Sequence, residues 1–144
     1  MTTRQAIIEA ARAVVGARWR RGGRDPRAGL DCAGLVAFAA AGVGYPIVDR
    51  ANYGIDGDGR LLEYMRESFD EVPIADLQPG DIPLFRMNPS LDTPASHCAI
   101  LTETRGLIHV FYHVRAVVEQ GMSPEWESRI KHVVRFRGVQ PWQP

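Results

Sequence analysis

Apolar residues recur at helical spacing near the start of the chain, where Ile7, Ile8, Ala11, Val14 and Val15 share one face of a helix predicted over 3–15. Thr2 and Gln5 stand at the spacing of a capping box, and Gly16 supplies a stop. Residues 18–31 are rich in glycine and arginine, with Pro26 among them, and read as loop. Residues 32–41 are almost wholly apolar, so the helix predicted there has no polar face and must be buried on most sides. Over 42–59, glycines, Pro46 and several aspartates break any period, which predicts a long loop able to line a cleft. Leu61, Leu62, Met65 and Phe69 then mark a short helix.

The pattern changes in the second half. Residues 81–86, 97–102, 106–112, 116–119 and 132–136 are short β-favouring runs separated by turn residues. Helices first and strands later predict an α+β fold, with helices packed on a central antiparallel β-sheet. At 144 residues the chain is expected to form a single domain, 1–144, with a core that needs no covalent staples.

Seventeen basic residues balance seventeen acidic ones, which argues against a nucleic-acid partner. The basic charge is instead local. Arg18, Arg20, Arg21, Arg24 and Arg27 cluster upstream of Cys32, either as a solvated face or as a site for an acidic ligand. The N-terminal stretch lacks an uninterrupted apolar run, and nothing approaches the roughly 18 apolar residues of a membrane span. The expectation is a soluble protein with no membrane span and no signal peptide, made in the cytoplasm and reaching its target from there or on a larger particle. Cys32 and Cys98 lack zinc-ribbon spacing, so free thiols are expected.

Cys32 is the candidate for chemistry, because it stands where a polar, glycine-containing turn gives way to the apolar helix. The N–H groups of a helix's first turn lack intrahelical partners and carry partial positive charge, which favours a thiolate. The competing reading is a small apolar residue that opens a buried helix. A nucleophilic thiol needs a base within reach, and the base needs a third group to orient it. His97 opens the run His97-Cys98-Ala99-Ile100-Leu101, and His109 lies in Leu107-Ile108-His109-Val110. Their separation, 109 − 97 = 12, suits adjacent antiparallel strands joined by a turn at 103–106, with the rings as neighbours on one face. Two satisfied core histidines, or a zinc site from Cys32, His97 and His109, remain open at this point. His113 and His132 read as surface residues. Cys98 alternates to the face opposite His97 and reads as core packing.

Taken together, Gly29-Leu30-Asp31-Cys32-Ala33-Gly34-Leu35-Val36, Gln78-Pro79-Gly80-Asp81, Phe85-Arg86, His97-Cys98-Ala99-Ile100 and Ile108-His109-Val110 resemble the NlpC/P60 cysteine peptidases, papain-like cell-wall hydrolases. Val117-Val118-Glu119 and the 126–136 tail are similar to the branch encoded in phage tail modules and gene transfer agents, so the resemblance spans essentially the whole chain. It implies Cys32 as nucleophile, His97 as general base and His109 as the residue that orients His97, with no cofactor and no metal. It also implies a thioester acyl-enzyme, with the oxyanion held by the Cys32 N–H and one further donor. The substrate so implied is a peptidoglycan stem peptide, cut between γ-D-glutamyl and a diamino acid. Particle proteins are implied as further partners, and the cell envelope as the place of action.

Two positions depart from the family pattern. Trp19 stands where many relatives carry a tyrosine upstream of the Gly22-Gly23 pair, and Ala33 where many carry serine; both positions bear on substrate recognition. The substrate's carboxylates suit Arg24 and Arg27, since guanidinium forks bind carboxylate in bidentate fashion. Asp31 suits the amino end of the stem peptide. The competing expectations are a catalytically silent tail-tip or wall-binding protein of the same fold, and an amidase or acyltransferase using the same Cys–His chemistry.

Overall fold

The structure is a computed structural model that describes residues 2–50, 53, 57–88 and 90–144. It opens with helix α1, Arg4–Arg12. The cap is Thr3 rather than Thr2: the Thr3 hydroxyl accepts from the Ala6 N–H at 3.0 Å, and helix geometry ends at Arg12, before the predicted stop. Within the predicted 18–31 loop, β1 (Arg24–Asp25) and β2 (Gly29–Leu30) form a small antiparallel hairpin. Helix α2, Cys32–Gly42, follows at once and is buried along both sides by Leu35, Val36, Ala39 and Ala40. Its many small side chains let neighbours come close, and the ideal Cβ of Gly42 lies 3.3 Å from the Ala10 methyl of α1. The predicted 42–59 loop lies partly outside the described residues; inside them, 45–50 has no regular structure.

Helix α3, Arg60–Ser68, leads into β3, Asp70–Val72, and a single 3-10 turn at Ile74–Asp76. The strands β4 (Ile82–Phe85), β5 (His97–Cys98), β6 (Ile100–Leu101), β7 (Gly106–His109) and β8 (Val118–Gly121) precede a short helix α4, Pro124–Ser128, and the last strand β9, Ile130–Arg135.

The named strands pair antiparallel throughout, but besides the β1-β2 hairpin they form two sheets where one was predicted. One runs β3-β9-β4-β5 and the other β6-β7-β8. The divide falls at Ala99, inside the run predicted as one strand. His97 and Cys98 pair with β4, whereas Ile100 and Leu101 pair with β7. Between them the Ala99 N–H donates to the Pro83 carbonyl, and Pro83 has no N–H to return; just outside β4 the Leu101 N–H donates to the Asp81 carbonyl.

Across the switch the side chains keep alternating between two faces. Cys98 and Ile100 join the main core with Ile7, Leu35, Met65 and Phe136, between the helices and the sheets. Ala99 and Leu101 instead join Phe85 and Leu107 in a smaller cluster, roofed by Trp126 of α4. A buried ion pair links the two ends of the chain to the sheet: Asp81 accepts from Arg4 at 2.8 Å and from Arg135 at 2.8 and 2.9 Å.

Candidate active site

Cys32 is the first residue of α2, and the preceding Asp31 fixes it there. One Asp31 oxygen accepts from the Gly34 N–H at 2.8 Å, capping the helix, and also from Arg24 Nη1 at 3.0 Å. The other accepts from the Gly22 N–H at 2.8 Å, so the 22–24 loop and the helix start are held to one carboxylate. Burial pushes the Asp31 carboxyl upward in pKa, against the pull of these donors. The backbones meet without side chains between them. A Cβ on Gly34 would lie 1.9 Å from the Gly23 carbonyl oxygen, and one on Gly23 would lie 2.1 Å from that of Gly29. Only glycine fits at either place.

Cys32, only 4% exposed, borders a cleft of about 250 Å³ whose other walls include Trp19, Arg21, Asp31, His97, Tyr112 and His113. Trp19 and Tyr112 meet edge to face across its mouth, with ring centroids 5.5 Å apart. His97 is buried at the start of β5, and its Nε2 lies 2.8 Å from Nδ1 of His109. The second nitrogen of His109, Nε2, lies 3.0 Å from the side-chain oxygen of Gln120. His97 Nδ1 is buried and has no hydrogen-bond partner among the described residues. Buried polar atoms are almost always paired, so this orphan marks an atom kept for something else.

Aromatic rings enclose the pair. Trp126 lies 5.6 Å from the His97 ring and 5.1 Å from that of His109, and Phe111 touches both. Burial accordingly drives the pKa of His97 well below the usual imidazole value, and the neighbouring His109 lowers it further. Burial lowers His109 as well, although the contact with Gln120 pulls the other way. Both rings are therefore neutral at neutral pH, and a neutral imidazole has one N–H and one lone pair. The arrangement can accept a proton from a group in the cleft.

Cys98 is packed in the main core, as its alternation predicts, and it also interacts there with Cys32. That neighbour, with burial, holds the Cys98 thiol well above its ordinary pKa, so Cys98 keeps its proton. Both cysteines are free thiols.

Of the residues expected to contact substrate, Trp19 and Asp31 line the cleft with Cys32 and His97, while Arg24, Arg27 and Ala33 do not. Arg24 bridges Asp31 and Asp49, the latter at 2.8 Å, and its guanidinium lies over the Tyr53 ring. Arg27 sits in the exposed hairpin turn against Asp25. Ala33 is fully buried under the helix start. The arginine of the cleft is Arg21. Asp31 is already engaged by three donors, so a substrate amine reaching it competes with Arg24. Among the described residues no three His, Cys, Asp or Glu side chains are placed to hold a metal ion. Cys32, His97 and His109 do not form such a group: the facing nitrogens of the two rings are hydrogen-bonded to each other at 2.8 Å.

Gln120, Trp126 and Tyr112 were not singled out from the sequence, and His113, read there as a surface residue, is exposed but lines the cleft. Tyr112 and His113 lie just past β7, where the chain leaves the sheet beside the cleft. Gln120 lies one residue beyond the run predicted as strand.

The profile of the NlpC/P60 family matches residues 16–135. No curated protein matches the chain. Among solved structures, an NlpC/P60 family protein from Bacillus cereus is similar over 92% of this chain at 19% identity and a TM-score of 0.72, and the chain spans 40% of that protein's length. The NlpC/p60 domain of the peptidoglycan hydrolase SagA is similar over 94% of this chain and 100% of its own, at 21% identity and a TM-score of 0.65. RipD from Mycobacterium tuberculosis, described as a non-catalytic NlpC/p60 domain protein adapted to peptidoglycan binding, is similar over 92% of this chain and 95% of its own, at 14% identity and a TM-score of 0.62. At these identities the likenesses establish the fold, a papain-like arrangement of helices on antiparallel sheets. With a family profile matching most of its length and the same fold in the solved structures, the chain belongs to the NlpC/P60 family.

Proposed function

We propose that this protein is a cysteine endopeptidase that cuts peptidoglycan stem peptides, with Cys32 as nucleophile, His97 as general base and His109 as the residue that orients His97. The observation that carries the reading is the buried, unpartnered Nδ1 of His97 in a ring held neutral, in the wall of the cleft that Cys32 also lines. His97 Nδ1 takes the Cys32 proton, and the sulfur attacks the scissile carbonyl. The carbonyl oxygen becomes an oxyanion beside the first-turn N–H groups of α2, which have no intrahelical partner. Collapse breaks the C–N bond: the amine leaves with the proton from His97, and the acyl group stays on sulfur as a thioester. A water gives its proton to His97 and attacks the thioester, which releases the acid and returns the thiol.

The bond cut is the γ-D-glutamyl–diamino acid link, and the protein acts in the cell envelope as part of a phage tail or phage-like particle. Support for that context is the resemblance of residues 117–119 and 126–136 to the particle-borne branch. The chain 1–144 works as one domain, and among its described residues no helix is long and apolar enough to cross a membrane.

RipD gives the competing reading its weight, since a protein of this fold is described as binding peptidoglycan without catalysis. A pure binder has no use for a buried His–His–Gln chain beside a cysteine, and that favours turnover. Mass spectrometry of the soluble products from purified peptidoglycan separates the readings. An endopeptidase gives fragments with a new diamino-acid amine, absent with Cys32→Ala. An amidase frees whole stem peptides, and a binder gives retention on the wall with no product.

A further inference from the structure

Behind His109 stands one polar contact that none of the steps above uses. The His97–His109 pair has two self-consistent proton arrangements, because where they meet one ring must donate and the other accept, and the neutral rings have one proton apiece. In the first, His97 carries its proton on Nε2 and donates it to His109 Nδ1; His109 is then protonated on Nε2, and His97 Nδ1 has a lone pair. In the second, both protons sit on the Nδ1 atoms, His109 donates to His97, and His97 Nδ1 is blocked. Only the first arrangement can take a proton from Cys32.

Gln120 is placed to choose between them. Its side-chain oxygen lies 3.0 Å from His109 Nε2, and with the amide in that orientation the bond forms only when that nitrogen is protonated. The sheet holds it there. Leu107 pairs with Gln120 and His109 with Val118, so Gln120 projects from the same face as His109, one diagonal step away. The intervening Glu119 is tied to Arg12 of α1 by two bonds of 2.8 and 2.9 Å. The Gln120 backbone is pressed against the turn, where a Cβ on Gly106 would lie 2.8 Å from its carbonyl oxygen.

We propose that Gln120 is a positioning residue for the catalytic base: by accepting from His109 Nε2–H it sets the proton arrangement of both imidazoles and leaves the His97 Nδ1 lone pair facing the nucleophile. This rests on the assignment of His97 as the base. Gln120 touches neither substrate nor sulfur and acts through two rings.

The test reads the rings directly. Long-range proton–nitrogen correlation spectra of the 15N-histidine-labelled protein at neutral pH show which ring nitrogens are protonated, whether or not anything is cleaved. The expected wild-type spectrum has His97 and His109 each protonated on Nε2. Gln120→Glu keeps an acceptor and keeps that pattern, whereas Gln120→Leu removes the acceptor and lets protons populate Nδ1. On stem peptide, Gln120→Leu lowers kcat roughly ten- to a hundredfold with KM unchanged, and Gln120→Glu restores most of it, in the range typical of partners that orient a reacting side chain. A wild-type His109 protonated on Nδ1 overturns the proposal, even if Gln120→Leu does not fold. So does a folded Gln120→Leu with unchanged ring spectra and unchanged kcat. If the spectra follow expectation but no peptide is cut by any form, the relay stands and the peptidase reading falls.

Discussion

Replacing Asp31 by alanine separates two roles for the residue beside the nucleophile. In the structure its carboxylate is a cap and a clamp, accepting from Gly34, Gly22 and Arg24. Loss of the cap costs about 1 kcal/mol. The other two donors belong to an exposed glycine and a half-buried arginine that keeps Asp49, so both can turn to water or a second partner, and their loss adds about 1 kcal/mol each. Against this, a buried carboxylate no longer has to be desolvated, which returns part of the sum and leaves about 2 kcal/mol. For a chain of 144 residues the unfolding entropy is about 0.3 kcal/mol/K, so Tm falls by about 7 °C. Asp31→Asn keeps an acceptor for Gly34 but loses the charge beside Arg24, and Tm falls by about half as much. Thermal unfolding followed by circular dichroism gives the stability arm, and stem-peptide kinetics the functional arm. If Asp31→Ala melts within about 1 °C of wild type while KM rises tenfold at constant kcat, Asp31 is a substrate ligand and the clamp argument is wrong.

Other consequences follow from the same contacts. Both buried histidines titrate below the ordinary imidazole value, so the unfolded chain binds protons first as pH falls. Their contribution is fully present above about pH 6.5 and is lost below it, by about 1 kcal/mol per pH unit for each until the folded rings protonate; urea unfolding at pH 7.5 and 5.5 shows this slope, reduced in His109→Gln. Gly34→Ala drives a methyl into the Gly23 carbonyl 1.9 Å away and costs about 3 kcal/mol or more, read as a lower urea midpoint; a wild-type midpoint contradicts the close approach. Cys98→Ala removes the protonated thiol that interacts with Cys32, worth about 1 kcal/mol, so kcat falls roughly fivefold while the fold persists; an unchanged kcat shows that this neighbour does nothing for the reaction.

Where one local pattern was sufficient, the sequence announced the structure. The unbroken apolar run after Cys32 reads as a buried helix and is one, and the rings of His97 and His109 meet as their 12-residue spacing predicts, although the two residues lie in strands of different sheets. What stayed hidden depends on partners distant in the chain. The sheet switch at Ala99 falls opposite a proline in β4, sixteen residues earlier, that has no N–H to return to the Ala99 carbonyl. Strand β3, Asp-Glu-Val, has no alternation of its own and is strand only because β9 pairs with it. Arg24 and Arg27 looked like substrate ligands because they precede the nucleophile closely. The hairpin they belong to turns them away from the cleft, to Asp31 and Asp49 for one and to Asp25 for the other. Gln120 became visible only once β7 and β8 fixed its register, since a glutamine near a strand's end carries no signal by itself.

The central claim is that Cys32 is a nucleophile activated by His97. Its most direct test is the rate at which new amine ends appear from a defined stem peptide, compared among wild type, Cys32→Ala and His97→Ala, with each protein shown to be folded. The account predicts steady release by wild type and loss to background in both variants. Release that persists in Cys32→Ala, or its absence from folded wild type, contradicts it.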